Sequence, residues 1–557
     1  MTGIDLAELS TWQRIRRYAV PEWMIEECAQ RQRANDWRGA CAAGRIDLGF
    51  DLAEVADQFG ADTAERIEVE LSLLAPDLLR WHLPRALGGR TSLATDQRWV
   101  LSLLPDRLTD DTPLLSVRLP STVDGSQRLR LDLLDSSAKG HAIYDLPPYL
   151  WSVEHVELLR YAYGGSAERL PRFDPDGTPL PVAEFAEKFD PTDRASQCEA
   201  VLRRLHEGEF LEAWRLAGVD FDPTPADGTP HYESQERALV EYPYHLTLLP
   251  YEADRLATRY GSPTSVVNVD WGVRVKLDMT DRDRPRASLV KRKRDDRQIG
   301  SVVSRRPPDL DLLWHELITP EELHPLVRHA LFPVLSENAS PEPIPPAEVP
   351  VRVRCRSEWH TVEYREGKLD TPSHTPEEAQ REQVLRSLGG QVTGCFAIQH
   401  RWTSGRGRLP RQLRQQRQDI LQRVLHGGSR TLLPLLDTGM DPHLRDGRGR
   451  SLLHHLRAMD HTEVLPRLLA AGLAIDTPDA KGRTPLSVAV GDVGSLELVR
   501  ALLENGADPN AKDHEGMSPF ELAYYKSGAE YYDDDDEDRE DSAIGRIYHL
   551  LKEWTAR

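Results

Sequence analysis

The sequence predicts a multi-domain α+β protein that ends in an all-α solenoid of about three to four repeats. Three observations carry this expectation. The chain has 557 residues, too many for one ordinary core at roughly 100 to 200 residues per domain. Strand-like and helix-like stretches mix without a fixed period as far as about residue 400. Beyond about residue 425 a period of 33 to 34 residues sets in, which is the length of one helical hairpin unit and cannot bury its apolar face alone.

The elements follow in chain order. Residues 1–165 read as an N-terminal domain that is helical first, with WMIEECAQRQRANDWRGACAAG and the stretch ending LLAPDLLRWHLPR, and strand-containing later, with RLRLDLLD at 128–135. Residues 166–332 read as a second α+β region. It opens on loop-rich DPDGTPLP and DPTPADGTP, continues through strand-like SVVNVDWGVRVKLDM and returns to helix at DLDLLWHELITPEELHPLVRHALF. A short echo pairs DWRGACAAGRID (36–47) with FLEAWRLAGVDF (210–221); two helices that end in Ala-Gly match this well by chance. Six prolines in the eighteen residues 333–350 predict an extended linker. Residues 351–400 predict a small unit of β-hairpin, helix and strand, the strand being CFAIQHRW.

In the last segment, 401–557, DGRGRSLLHHL, DAKGRTPLSVA and DHEGMSPFELA align, and Gly449, Gly482 and Gly516 mark the same place in each. A second block repeats with Gly439, Gly472 and Gly506. A Thr-Pro or Ser-Pro start suits a helix N-terminus, because proline at the first position forfeits no hydrogen bond. Glycine after the second helix suits a left-handed cap. Leu432/Leu435/Leu436, Leu465/Leu468/Leu469 and Val499/Leu502/Leu503 form helical stripes, expected to be the stacking core. This pattern resembles the ankyrin repeat, and the middle copy, 479–511, fits best. Its neighbours depart from it, with Ser451-Leu452 and Ser518-Pro519 for Thr-Pro, and Ser487 and Glu521 where His454 alone matches the family. The resemblance implies a β-turn followed by two antiparallel helices, and binding of other proteins through turn tips and the inner helical face. The acidic run around 529–543 is expected to be an insertion between the helices of the final repeat, with 545–557 as closing cap.

Composition narrows the function. A net charge of −20 argues against a chain-wide nucleic-acid footprint. The excess of arginine, 60 against 10 lysines, reads as the codon bias of a GC-rich genome. The opening MTGIDLAELSTWQRIRRYAV lacks an apolar secretory core, and no stretch of about eighteen apolar residues occurs, so a cytoplasmic protein without membrane spans is expected. Cys28, Cys41, Cys198, Cys355 and Cys395 lie far apart without CxxC or His-x3-His partners. They predict reduced buried thiols, with neither disulfide framework nor zinc site.

Motif by motif, the structural reading prevails. DPDG at 174–177 lacks calcium ligands at both ends of the loop and reads as a turn. WHELITPEELH (314–324) has no HExxH spacing and reads as amphipathic helix, and KRKRDDR (291–297) as a solvated loop. His454 is expected to bond Ser451 or the adjacent turn. No dinucleotide, P-loop or hydrolase signature occurs, so no catalytic, cofactor-binding or metal-binding residue and no cofactor is assigned. The segment 401–430 has eight arginines against one aspartate, with Arg411, Arg414 and Arg417 at helical spacing. It reads as the polar N-terminal cap of the array, the alternative being a nucleic-acid-binding face at 401–423. The favoured function is a cytoplasmic protein-protein interaction or scaffold protein. Its partner-binding candidates are the turn-tip residues Arg445, Arg448, Lys481, Lys512 and His514. The alternative is an enzyme of unknown reaction in 1–330 whose repeats recruit substrate.

Overall fold

The computed structural model describes residues 6–103, 113–134, 143–174, 177–180, 190, 192–224, 233–270, 273–290, 297–334, 350–355, 358–365, 368–388, 393–405, 407–528 and 542–556. Most of the proline-rich stretch 333–350, the acidic run, KRKRDDR and the middle of DPDG therefore lie outside the described residues. The chain divides into two compact units, residues 1–123 with 127–341, and residues 124–126 with 342–557.

The first unit contains the same pattern twice. Helices Glu22–Arg33 and Trp37–Ala43 lead into strand Ile46–Leu48, and helices Arg194–Glu207 and Phe210–Leu216 lead into strand Asp220–Asp222. Each pair of helices starts or restarts on a carboxylate that satisfies free backbone N–H groups: Asp36 accepts from Gly39 N at 2.8 Å, and Asp193 from Ala195 and Ser196. An antiparallel meander follows in both halves, Arg98–Leu103, Leu114–Arg118 and Leu129–Leu134 in the first, Thr264–Asp270, Val273–Asp278 and Arg286–Val290 in the second. In both, the leading short strand runs parallel to the third meander strand. In both, a trailing short strand, Ile143–Asp145 or Gln298–Ile299, runs parallel to the first. The two five-stranded sheets thus share one topology, and the faint echo of 36–47 in 210–221 falls on equivalent helix-strand elements.

One hydrophobic cluster, from Leu9 to Phe332, serves both copies. Gly300, just after the second trailing strand, shows how closely they pack: a Cβ there would lie 2.2 Å from the Trp99 ring. Charges inside this core are paired, as burial requires. Arg16 donates to Asp309, which also accepts from Trp81 Nε1 at 3.2 Å and Tyr163 OH at 2.7 Å. Asp145 meets Arg255 at 2.6 Å and the Tyr260 hydroxyl at 2.7 Å.

The second unit begins with hairpin Val351–Cys355 and Glu358–Arg365, extended by Lys368–Asp370 into a three-stranded sheet, then helices Pro376–Ser387 and Gly394–Ser404. CFAIQHRW, expected as a strand, is therefore helical. Its buried residues Cys395, Ile398 and Trp402 fall on one helical face, and Gly405 at φ +68° ends it in the left-handed region that favours glycine. Helix Gly394–Ser404 also crosses the 400/401 division drawn from sequence. One hydrophobic cluster runs from Val351 to Leu551, so the small sheet and the repeats share a core.

The repeats alternate first helices Arg411–Gly427, Leu452–Ala458, Pro485–Gly491 and Pro519–Lys526 with second helices Ser429–Asp437, His461–Ala470, Leu496–Glu504 and Ala543–Thr555. Leu452–Ala458 is a 3₁₀ helix, and it is the copy that has Leu452 where the next two have Pro485 and Pro519. Of the stripe residues, Leu432, Leu465, Leu468, Val499, Leu502 and Leu503 are buried, and Leu435, Leu436 and Leu469 are half-buried against the same cluster. The last two helices pack through Tyr548 against Phe520 and Tyr524.

Candidate functional site

Three turns of one construction form the outer row of the array. In each, an aspartate side chain accepts from two backbone N–H groups ahead of it. Asp446 serves Arg448 and Arg450 (both 2.8 Å), Asp479 serves Lys481 (2.8 Å) and Arg483 (3.0 Å), and Asp513 serves Glu515 and Met517 (both 2.9 Å). The glycine that closes each turn has φ between +74° and +82°, which is why Gly449, Gly482 and Gly516 recur. Backbone bonds join the turns to each other, Ala480 N to Arg448 O and His514 N to Lys481 O, both at 2.9 Å. Such bonds lock the register of the row.

Behind the turns, the side chains of His454 and Glu521 reach back to the cap residue, whereas at Ser487 the cap rests on the Thr484 hydroxyl. His454 Nδ1 lies 3.0 Å from both the backbone N and the Oγ of Ser451, and its Nε2 lies 3.0 Å from Arg483 O. Ser487 donates its N–H to Thr484 Oγ1 at 3.2 Å, and Glu521 accepts from Ser518 N at 2.8 Å. The departures from the repeat pattern at this slot keep the helix cap: Glu521 preserves the reciprocal bond made by His454, and Ser487 keeps only the bond to the Thr484 hydroxyl. Burial holds His454 neutral, lowering its pKa to about 4.

The five partner-binding candidates divide. Arg448, Lys481, Lys512 and His514 are exposed along the row. Lys481 and Lys512 stand only loosely paired, 3.8 Å from Glu515 and Glu521. Arg445 is instead half-buried and bonds Gly449 O at 3.0 Å, Pro478 O at 2.8 Å and Thr477 Oγ1 at 2.8 Å, a clamp between consecutive turns. The expected basic triad also divides. Arg411 and Arg414 are exposed, but Arg417 is buried and donates to the carbonyls of Arg401 (3.1 Å) and Trp402 (3.4 Å). It satisfies the last turn of the preceding helix, so it is no part of a free basic face.

In the first unit a cavity of about 90 Å³ is bordered by Trp12, Arg16, His82, Arg85, Arg306 and Asp311. Its charges are largely taken up within the protein, Arg16 by Asp309 and Arg306 by Asp311 at 2.7 Å. Arg85 Nε, Arg306 Nη1, Asp311 Oδ2 and His82 Nε2 have no hydrogen-bond partner among the described residues. This mixture of donors and acceptors suits ordered water.

Sequence reasoning missed one cluster. Cys355, His360, His374 and Cys395 bring one potential ligand atom each to within 4.8 Å of one another. Cys355 and Cys395, far apart in sequence, are therefore neighbours in the fold and share their surroundings with two histidines. Cys28, Cys41 and Cys198 are buried elsewhere, with burial raising the Cys41 and Cys198 thiols to about 12 and about 11. The spacing of four, thirteen and twenty intervening residues matches no compact motif, which is why no signal stood out.

Residues 421–513 match the family model of ankyrin repeats in three copies. Over 90 residues, 16% of this chain, it is 31% identical to the putative palmitoyltransferase ZDHHC13 of Danio rerio and covers 14% of that protein. Over the same length it is 33% identical to the E3 ubiquitin-protein ligase KEG of Arabidopsis thaliana and covers 6% of it. Among the described residues no helix is long and apolar enough to cross a membrane.

Proposed function

With a three-copy ankyrin segment at residues 421–513 as premise, we propose that this is a cytoplasmic interaction or scaffold protein. Its repeats dock a partner protein along the turn row, with Arg448, Lys481, Lys512 and His514 as contacts. The observation that carries the reading is the register of the row. Turn-to-turn backbone bonds hold the backbones of Arg448, Lys481 and His514 in line at one repeat spacing, with Lys512 beside His514 in the same turn, so little backbone ordering remains to be done on binding. Ankyrin repeats mediate protein-protein interaction in general. The two relatives support a shared binding role rather than a shared reaction, since their names denote different activities and the matched stretch is a small part of each. The cationic tips favour an acidic partner surface.

Changing Arg448, Lys481, Lys512 and His514 together to alanine in the full chain should weaken partner capture at least tenfold while thermal unfolding stays in place. A photo-crosslinking residue at position 481 should label the same partner. Equal capture by the variant and the wild type sinks the assignment.

A further inference from the structure

We propose that Cys355, His360, His374 and Cys395 bind a single zinc ion as a closed structural site that fastens the small sheet to the helices preceding the repeats. The four residues come from four separate elements. Cys355 ends strand Val351–Cys355. His360 lies opposite Val353 in the neighbouring strand, and since side chains alternate, Cys355 and His360 point to the same face of the hairpin. His374 sits in the turn after strand Lys368–Asp370, its N–H donating to Thr371 O at 2.9 Å. Cys395 lies in the first turn of helix Gly394–Ser404.

The backbone is shaped to this convergence. Gly394 has φ +62°, and a Cβ there would lie 2.5 Å from Cys355 Sγ and 3.0 Å from Cys355 Cα. Only glycine lets the helix start come so near the strand end.

The two imidazoles argue for a cation. His360 Nδ1 and His374 Nε2 face each other at 2.8 Å, and with the proton of each ring on its outer nitrogen both would present lone pairs to a common metal. The opposite nitrogens turn to carboxylates, His374 Nδ1 to Glu378 Oε2 at 3.2 Å and His360 Nε2 to Glu358 Oε2 at 3.5 Å. A ligating histidine is ordinarily oriented in this way, one nitrogen on the metal and the other held by an acceptor. Phe396 covers the His374 ring with centroids 4.6 Å apart.

Two thiolates and two imidazoles form a tetrahedral set that selects zinc among the common divalent ions. Metal–ligand bonds of about 2.0 to 2.3 Å imply edges of roughly 3.3 to 3.8 Å. The ligand atoms therefore need only a small contraction or separation. With four protein ligands no position is left for substrate, so the role is structural. Cys355 and Cys395 belong to the same buried cluster as Leu413 and Val424 of the first repeat helix. Holding them together holds the N-terminal end of the solenoid core.

The test uses the full chain, purified under reducing conditions with zinc supplied. Elemental analysis should find one zinc per chain, and Cys395→Ser and His374→Ala should each lose it, while Cys198→Ser keeps it. Cobalt substituted into the wild-type protein should give the d–d absorption of a tetrahedral site and a thiolate charge-transfer band. This readout needs no variant to fold. Glu378→Gln should weaken zinc binding about 10- to 100-fold without abolishing it. Wild-type protein that takes up no zinc and gives only an octahedral cobalt spectrum overturns the proposal, as does a Cys355–Cys395 disulfide that persists under reduction.

Discussion

Arg445 reaches across one repeat period to the carbonyl of Pro478, 2.8 Å from its Nη1, while the same nitrogen holds Gly449 O at 3.0 Å. A residue on the turn row therefore serves the joint between turns. Arg445→Ala should leave three acceptors without this donor and destabilise the array by about 1 to 3 kcal/mol. Urea unfolding should show it as a lower midpoint at constant slope. An unchanged midpoint would place Arg445 back among the binding residues.

Gly482 and Gly516 have the same φ of +82° but different surroundings. A Cβ on Gly482 would lie 2.6 Å from His514 Cδ2 and 3.0 Å from His514 N, whereas one on Gly516 meets nothing within 4 Å. Gly516→Ala should cost only the left-handed backbone, about 1 to 2 kcal/mol. Gly482→Ala should cost more and break the bond from His514 N to Lys481 O. Hydrogen exchange at the His514 amide is the measurement, and similar behaviour in the two variants would contradict the turn geometry.

Leu502→Ala should destabilise the solenoid by about 2 to 5 kcal/mol, because Leu502 is buried where successive repeats stack. Amide exchange throughout 479–527 should accelerate. Protection equal to wild type would mean that the stripe is not the stacking face.

The pH dependence follows from His454. Its folded pKa, about 4, lies below its ordinary 6.5 because burial disfavours the charged ring. Protonation therefore favours the unfolded chain. This contribution is fully present above pH 6.5 and is lost progressively as the pH falls from 6.5 to 4, by up to about 3 kcal/mol. His454→Ser, which copies the cap at Ser487, should flatten melting temperature against pH in that window. An equal slope in the variant would remove His454 as the cause.

Asp309 is the buried centre of three groups, paired with Arg16 and bonded by Trp81 and Tyr163. Asp309→Ala leaves Arg16 buried without its counterion, which should cost about 3 to 5 kcal/mol. Tyr163→Phe, removing one neutral donor, should cost about 1 kcal/mol. Calorimetry on both variants checks the order, and a reversed order would refute the assignment of Asp309 as the hub.

The repeats were legible in sequence because their determinants are local. An aspartate, a left-handed glycine and a Ser or Thr cap act within a few residues of one another, so a 33- or 34-residue period reports the turn and its helices directly. The stripe Val499/Leu502/Leu503 reports the buried face for the same reason. What only the tertiary structure decided depends on distant pairing. The matching sheets of the first unit are built from strands whose order reflects long-range hydrogen bonding, and their shared topology is not visible in sequence beyond the short echo at 36–47 and 210–221. Arg417 looked like part of a basic face because helical spacing says nothing about which neighbouring helix ends above it. Cys355, His360, His374 and Cys395 carry no recognisable spacing, because a strand end, a facing strand, a turn and a helix start bring them together in space, and a metal needs proximity of ligand atoms, not proximity in the chain.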